Sequence, residues 1–180
     1  MGVPKILLTG RPGVGKTTVI MRTLALLERP RASGFYTREL RGPRGRLGFE
    51  AVALDGHRQV LAHVDLRSPQ RVSRYGVDVA GFEREIVPYV DPTARPEADL
   101  IVVDEIGKME CFSERFQAAV WRALDSALPL LGTIGQAGGG FIARVRARPD
   151  VQLIEVTPAN RERLPAQLAA RLGEVSGRAE

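Results

Sequence analysis

The segment GRPGVGKT at residues 10–17 constrains this chain more than any other part of it. It fits the pattern Gly-x-x-x-x-Gly-Lys-Thr, with an apolar strand predicted before it at residues 3–9. The glycines let the backbone wrap so that its N–H groups converge on phosphate oxygens at the start of a helix. An accidental glycine-rich turn would explain the glycines but not the Lys-Thr pair in that register. The pattern therefore predicts a phosphate-binding loop.

The residues of this loop have separate expected roles. Lys16 is expected to reach the β- and γ-phosphates of a nucleoside triphosphate, and the Thr17 hydroxyl to bind Mg²⁺. The following helix is predicted from Thr17 to about Glu28, where Arg29-Pro30 ends it. The predicted nucleotide-binding residues in the loop are Gly10, Arg11, Pro12, Gly13, Val14, Gly15, Lys16, Thr17 and Thr18.

Two adjacent carboxylates end the apolar strand predicted at residues 100–104. Neighbouring acids repel each other and resist burial, so this position calls for a nearby cation. Asp104 fits the acid that a P-loop sheet supplies to Mg²⁺. Glu105 is the candidate to orient and deprotonate the attacking water, which would make the reaction a hydrolysis. The alternative for Glu105 is a solvated turn residue after a strand.

The pattern of the remaining segments predicts a doubly wound α/β fold. Antiparallel strands are expected where turns of glycine, proline and aspartate separate apolar segments, at 34–40, 47–54 and 59–64. Further strands are expected at 130–134 and 151–156, with helices near 112–127, 141–148 and 164–172 and Gly173 capping the last. Residues 65–80 are expected to be irregular, and 81–94 show only a weak helical pattern.

These elements predict a single P-loop nucleotide-hydrolase domain over residues 1–180. Its expected architecture is Rossmann-like, with three layers and a mostly parallel sheet. An antiparallel hairpin region is expected as an insertion at about 34–64.

Composition limits the class of partner. The chain has 44% hydrophobic and 26% charged residues, which is ordinary for a soluble globular protein. No apolar run approaches the roughly 20 residues that cross a bilayer, and no signal-peptide pattern is present, so a cytoplasmic protein is expected. The single cysteine, Cys111, excludes an internal disulfide and a Cys-based zinc site.

A net charge of +5 and a pI near 10.0 could indicate nucleic-acid binding. The basic residues are interspersed with acids, however, and no run of five or six like charges occurs. Nucleoside triphosphates are therefore favoured over nucleic acid as partners, and a monomer is expected.

Three further groups of residues have two interpretations each. Lys108 could neutralise γ-phosphate charge in the transition state, or form a salt bridge with Glu105 or Glu110. The arginines Arg144, Arg146 and Arg148 predict a solvated helix face, or a lid that hinges on the glycines before them.

Asn160 and Arg161 follow the last predicted strand, where α/β sites often contact the base or ribose. Arg161 is expected to contact the nucleotide, while helix capping is the alternative for Thr157 and Asn160 and is expected for Thr157.

Six blocks occur in the order found in one known family. They are TGRPGVGKTT (9–18), GFYTREL (34–40), RYGVD (74–78), DEIGKME (104–110), LGTI (131–134) and LIEVTPANR (153–161). The chain resembles the cancer-related nucleoside-triphosphatase family of P-loop proteins over nearly its whole length, and DEIGKME is the distinctive block. The glycine-rich segment 135–140 departs from that family, in which a proline and polar residues commonly follow the Gly-Thr-Ile strand.

The resemblance implies Mg²⁺-dependent hydrolysis of several nucleoside triphosphates, ATP and GTP among them, to diphosphate and phosphate. It assigns residues 10–18 to phosphate and metal, Asp104 to magnesium and Glu105 to the water. Two alternatives remain open. The first is a P-loop kinase that transfers the γ-phosphoryl group to a small molecule or nucleotide, and the second is a nucleic-acid-dependent ATPase.

Overall fold

The computed structural model describes residues 2–27 and 31–176, and one nine-stranded sheet runs through them. The strands are β1 (Lys5–Thr9), β2 (Ala32–Gly42), β3 (Gly45–Ala53), β4 (Arg58–His63), β5 (Arg71–Val72), β6 (Tyr75–Val77), β7 (Leu100–Ile106), β8 (Leu130–Ile134) and β9 (Val151–Glu155). Their order across the sheet is β5-β6-β4-β3-β2-β7-β8-β1-β9.

Helices cover both faces of this sheet. They are α1 (Lys16–Leu26), α2 (Val79–Glu85), α3 (Val87–Val90), α4 (Glu114–Asp125), α5 (Gly140–Arg146) and α6 (Leu164–Ser176), with a 3₁₀ turn at Glu110–Phe112. Side chains of β7 alternate between the faces: Ile101 and Val103 pack with α2 to α5, whereas Leu100 and Val102 pack with α1 and α6. The predicted three-layer α/β fold of a P-loop protein is confirmed.

The sheet has a parallel half and an antiparallel half, which meet at β2. Strands β2, β7, β8, β1 and β9 are parallel neighbours. On its other side β2 pairs antiparallel with β3, and β4, β6 and β5 continue the sheet. The antiparallel part therefore extends the parallel sheet edge to edge, and it continues beyond residues 34–64 to Val77.

The carboxyl ends of the parallel strands meet at one edge of the sheet, as expected for ligand binding in open α/β folds. The phosphate-binding loop follows β1, and Asp104 lies in β7 with β8 between them. Strands β2 and β7 approach closely because residue 34 is glycine: a Cβ there would lie 1.8 Å from the Val102 carbonyl oxygen. The antiparallel half thus starts directly beside the strand that carries the paired acids.

Two predictions about local structure are wrong. Residues 65–80 contain β5, β6 and the start of α2, joined by a turn in which Ser73 has a φ of 54°. Strands of two and three residues are too short to produce an alternating pattern in the sequence.

Gly173 does not cap the last helix, because α6 continues to Ser176. A glycine inside a helix costs about 1 kcal/mol, which the burial of Leu168 and Leu172 exceeds. The predicted end of α1 at Glu28 and Arg29-Pro30 lies outside the described residues.

Candidate active site

The loop between β1 and α1 has the backbone conformation that its glycines predict. Gly10 has a φ of 147° and Gly15 a φ of 107°, where side chains are rarely tolerated. A Cβ on Gly10 would also lie 2.8 Å from the Val156 carbonyl oxygen of the neighbouring chain segment. Helix α1 begins directly after Gly15, so its first N–H groups face the loop.

Lys16 folds back over this loop. Its Nζ donates to the carbonyl oxygen of Gly10 at 3.0 Å and to that of Arg11 at 3.3 Å. The same side chain lines a cleft together with Glu105. The ammonium therefore lies between the phosphate-binding loop and the second predicted catalytic residue.

Asp104 is the point at which the two sequence motifs meet. The Thr17 hydroxyl donates to its Oδ2 at 2.5 Å, and the Thr133 hydroxyl donates to its Oδ1 at 2.5 Å. Thr37 donates to the Asp104 carbonyl oxygen at 2.6 Å. Three different strands or helices thus fix a carboxylate that is only 3% exposed.

Thr133 was missed as a site residue at the level of sequence. Only the position of β8 between the loop strand and the acid strand places it under Asp104. The signal that could have identified it is the occurrence of LGTI among the blocks shared with the family.

The surroundings of Asp104 and Glu105 disfavour their charged forms, which a nearby cation would stabilise. Burial raises the pKa of Asp104, and the Thr133 and Thr17 hydrogen bonds and the charge of Lys16 oppose this rise. Burial and the charge of Asp104 raise the pKa of Glu105, again opposed by Lys16. A divalent ion beside Asp104 would stabilise the charged form of both carboxylates.

The donor set fits magnesium held jointly with a substrate. Thr17 and Asp104 offer hydroxyl and carboxylate oxygens, which are the ligands that Mg²⁺ prefers. Within residues 2–27 and 31–176, no group of three or more His, Cys, Asp or Glu side chains could hold a metal ion by itself. Mg²⁺ is commonly bound through one or two carboxylates together with substrate phosphates, which matches this arrangement.

A cleft of about 490 Å³ opens beside these residues. The predicted residues Gly10, Pro12, Lys16, Glu105 and Lys108 line it together. Lys108 is exposed, and the ion pairs found in the described part of the chain do not join it to Glu105 or Glu110. Its ammonium is therefore free to face the cleft.

Glu110 also lines the cleft, and the sequence assigned it no role of its own. It is 4% exposed, and burial together with the charges of Glu105 and Asp104 raises its pKa to about 8. Gly107 allows the two glutamates to approach, because a Cβ there would lie 2.8 Å from Glu105 Oε1 and 2.8 Å from Glu110 Oε2. Glu110 could have been identified from the sequence as the last residue of the DEIGKME block.

Arg161 lies beside the phosphate-binding loop. Its Nη1 donates to the Val14 carbonyl oxygen at 3.4 Å. It borders a cavity of about 500 Å³ lined also by Arg11, Gly13 and Val14, here called the Arg161 cavity. A smaller cavity of about 110 Å³ joins Arg161 to Thr18. All predicted nucleotide-binding residues thus surround one loop.

Asn160 stabilises the turn that carries Arg161. Its Oδ1 accepts from the Thr157 N–H and its Nδ2 donates to the Glu155 carbonyl oxygen, both at 2.8 Å. Helix α6 begins only at Leu164, so Asn160 orders the loop rather than capping that helix.

The three arginines near α5 make contacts within the protein. Arg146 donates to the Gly135 carbonyl oxygen at 3.0 Å, and Arg144 and Arg148 lie 4.9 and 4.7 Å from the centre of the Trp121 ring. Only Arg144 is exposed, so the solvated-face prediction applies to that residue alone. These contacts connect α5 to α4 and to the loop after β8, and they do not require a lid.

The sheet, the phosphate-binding loop and the paired acids define a P-loop NTPase. A model of the family described as NTPase matches residues 5–169. The chain belongs to that family. Nucleoside-triphosphatase THEP1 of Thermotoga maritima is 43% identical over 160 residues, covering 89% of this chain and 90% of the relative. The cancer-related nucleoside-triphosphatase of Homo sapiens is 39% identical over 173 residues, covering 88% and 91%.

Solved structures agree with the fold. The crystal structure of THEP1 from Aquifex aeolicus superposes with a TM-score of 0.83 at 34% identity, covering 93% of this chain and 98% of that one. The solution structure of a human cancer-related nucleoside triphosphatase gives 0.78 at 36% identity, covering 95% and 98%. The resemblance seen in the sequence is confirmed. Among the described residues, no helix is both long and apolar enough to span a membrane.

Proposed function

We propose that this chain hydrolyses the β–γ bond of Mg²⁺-bound nucleoside triphosphates, ATP and GTP among them, to nucleoside diphosphate and phosphate. Relatives that this chain covers almost completely are named nucleoside-triphosphatases. The observation that carries the proposal is the hydrogen bond from Thr17 to Asp104, because it brings the phosphate-binding loop and the acid pair to one point.

The metal and the phosphates would share this point. Thr17 and Asp104 would hold Mg²⁺, which supplies charge neutralisation at the β- and γ-phosphate oxygens when bound. Lys16, already directed along the loop, would bind the same oxygens, and the loop N–H groups would surround them. The triphosphate would then run along residues 10–18, with the base or ribose toward Arg161.

Glu105 would activate the water. It lines the cleft beside Lys16, and burial raises its pKa toward the range in which a carboxylate is an effective base. The water oxygen forms a bond to Pγ as the bond from Pγ to the β-phosphate oxygen breaks, and Glu105 accepts the water proton. Lys108 at the cleft would offset charge on the departing phosphoryl oxygens.

The proposal also covers the domain organisation, the cellular location and the partners of the protein. The family match over residues 5–169 and the sheet shared by the described residues support one nucleotide-hydrolase domain over 1–180. The protein would act in the cytoplasm, as a monomer and without a nucleic-acid partner.

The test is phosphate release from ATP, GTP, CTP and UTP, with magnesium and with a chelator, in the absence of any acceptor. We expect release from all four triphosphates with magnesium and none with the chelator. The Lys16→Ala variant, purified in parallel, serves as the control for contaminating phosphatases. Failure of the wild type to release phosphate from any of the four would contradict hydrolysis and favour the kinase alternative.

A further inference from the structure

The cleft has more space than the groups needed for hydrolysis would occupy. The cleft measures about 490 Å³, and the γ-phosphate with its Mg²⁺ and the attacking water would lie at the part lined by Gly10, Pro12, Lys16 and Glu105. A second cavity of about 590 Å³, here called the side cavity, shares Val72, Lys108 and Ile142 with it. Cavities of about 300–1,000 Å³ are typical of sites for organic ligands.

We propose that the part of the cleft beyond Glu105 binds a nucleoside monophosphate, to which the enzyme transfers the γ-phosphoryl group. This inference rests on the proposed function, because the donor is the same Mg²⁺-bound triphosphate. The base or ribose of the donor is assigned to the Arg161 cavity, which shares Pro12 with the cleft and is otherwise lined by different residues. The cleft and the side cavity are therefore available to a second molecule.

The apolar wall of the cleft suits a planar ring. It consists of the apolar side chains Phe49, Leu61, Val72 and Ile142, contributed by β3, β4, β5 and α5. The Arg46 guanidinium lies 5.3 Å from the centre of the Phe49 ring. Bases pack on aromatic rings and on guanidinium planes with little dependence on sequence. A nucleoside base is thus a suitable occupant of this wall.

The charges suit the phosphate of a monophosphate. Arg71 and Lys108 line the side cavity, and the described residues around that cavity include no aspartate or glutamate. Lys108 also lines the cleft, which holds Lys16 at the phosphate-binding loop and the carboxylates Glu39, Glu105 and Glu110 as well. The acceptor phosphate is therefore assigned to Lys108 at the boundary of the two cavities, because the side cavity offers cations without a carboxylate in its described lining.

The transfer balances without a further reactant. A phosphate oxygen of the monophosphate forms a bond to Pγ while the bond from Pγ to the β-phosphate oxygen of the donor breaks. The products are two nucleoside diphosphates, and a dianionic acceptor phosphate has no proton to lose. Water in the same position gives free phosphate instead, so hydrolysis is the competing outcome at one site.

The experiment supplies γ-labelled GTP with magnesium and, in turn, AMP, CMP, UMP or GMP. We expect label in the diphosphate of at least one of these acceptors, with less free phosphate than in the acceptor-free reaction. The Lys16→Ala protein should form no labelled diphosphate, which excludes a contaminating kinase. If all four monophosphates leave the label entirely in free phosphate, the inference is overturned.

Two matched variants test whether the acceptor binds at this wall of the cleft. Val72→Glu puts a carboxylate at the boundary of the cleft and the side cavity, whereas Val60→Glu puts the same charge on β4, where Val60 is 37% exposed and lines neither cavity. Like charges opposed in a site cost several kcal/mol, so Val72→Glu should lower transfer about tenfold or more. It should lower transfer more than acceptor-free hydrolysis, so that the ratio of labelled diphosphate to free phosphate falls, and Val60→Glu should change neither reaction.

Equal effects of the two variants, or a higher KM for GTP in Val72→Glu, would overturn the assignment of this wall to an acceptor. The inference and the proposed function fail separately. Phosphate release without diphosphate formation contradicts only the acceptor site, whereas diphosphate formation without acceptor-free release contradicts only hydrolysis.

Discussion

The Thr17 hydroxyl donates a 2.5 Å hydrogen bond to Oδ2 of Asp104, although 87 residues separate them in sequence. Thr17 lies in α1, which follows β1, and β8 separates β1 from β7, the strand that carries Asp104. Thr133 of β8 completes the arrangement by donating to the other oxygen of the same carboxylate. Both residues assigned to the metal are therefore already in contact, with the phosphate-binding loop on one side and Glu105 on the other.

Replacement of Glu105 by glutamine should separate binding from catalysis. The amide keeps the shape of the side chain but cannot accept the water proton, so kcat should fall about 10²-fold or more. The affinity for the Mg²⁺-bound triphosphate should remain close to that of the wild type. Single-turnover phosphate release and equilibrium binding measure the two quantities. Glu97→Gln, on an exposed side chain that does not line the cleft, is the matched control, and similar rates for the two variants would refute the role of Glu105.

The two lysines at the cleft should differ in what they contribute. Lys16→Ala should weaken triphosphate binding strongly and abolish turnover, because Lys16 is assigned to ground-state and transition-state phosphate oxygens alike. Lys108→Ala should lower kcat with little change in the dissociation constant of the triphosphate, since its assigned role is limited to the transition state. Binding curves and steady-state rates of both variants test this, and weaker binding by Lys108→Ala would contradict the assignment.

Thr133→Val should weaken metal binding, although Thr133 itself is not assigned as a metal ligand. Valine has nearly the shape of threonine but leaves Asp104 Oδ1 without its donor in a buried position. Loss of a group that orients a metal ligand typically costs about 10–100-fold in metal affinity or activity. The measurement is the Mg²⁺ concentration for half-maximal phosphate release. The exposed Thr93→Val is the control, and equal Mg²⁺ dependence in both variants would count against a role for Thr133.

Glu110 predicts a pH dependence of stability. Its pKa is raised from 4.5 to about 8, so between these values the folded protein holds a proton that the unfolded chain has lost. Its contribution to stability is therefore complete below about pH 4.5 and decreases as the pH rises to about 8. Asp104 and Glu105, whose pKa values are also raised, contribute in the same direction.

Glu110→Gln should make the free energy of unfolding less dependent on pH, because glutamine does not titrate. One pKa unit corresponds to about 1.4 kcal/mol, so the difference from the wild type should amount to a few kcal/mol across this range. Urea unfolding without metal or nucleotide, near both ends of the range, measures it. Parallel pH profiles for wild type and variant would show that Glu110 is ionised in the folded protein at neutral pH.

The parts of this structure that depend on local chemistry were predictable from the sequence. The loop from Gly10 to Thr18 follows from its glycines, its lysine and its position between strand and helix. Asp104 and Glu105 were identified because paired acids after a buried strand are costly without a cation.

The parts that depend on register were not predictable in this way. Thr133 contacts Asp104 only because β8 lies between β1 and β7, an order that no spacing in the sequence specifies. Glu110 becomes a buried carboxyl only because Gly107 lets its chain fold back against Glu105. The short strands β5 and β6 have too few residues for a periodic signal.

The most direct test of the central claim is a magnesium titration of phosphate release from GTP by the wild type, Thr17→Val and Asp104→Asn. We expect no release by the wild type without magnesium. Each variant should need much more Mg²⁺ for half-maximal release, or lose release altogether, because each loses an oxygen ligand. Mg²⁺-independent release by the wild type, or an unchanged titration in Asp104→Asn, would contradict the claim that Thr17 and Asp104 hold the metal.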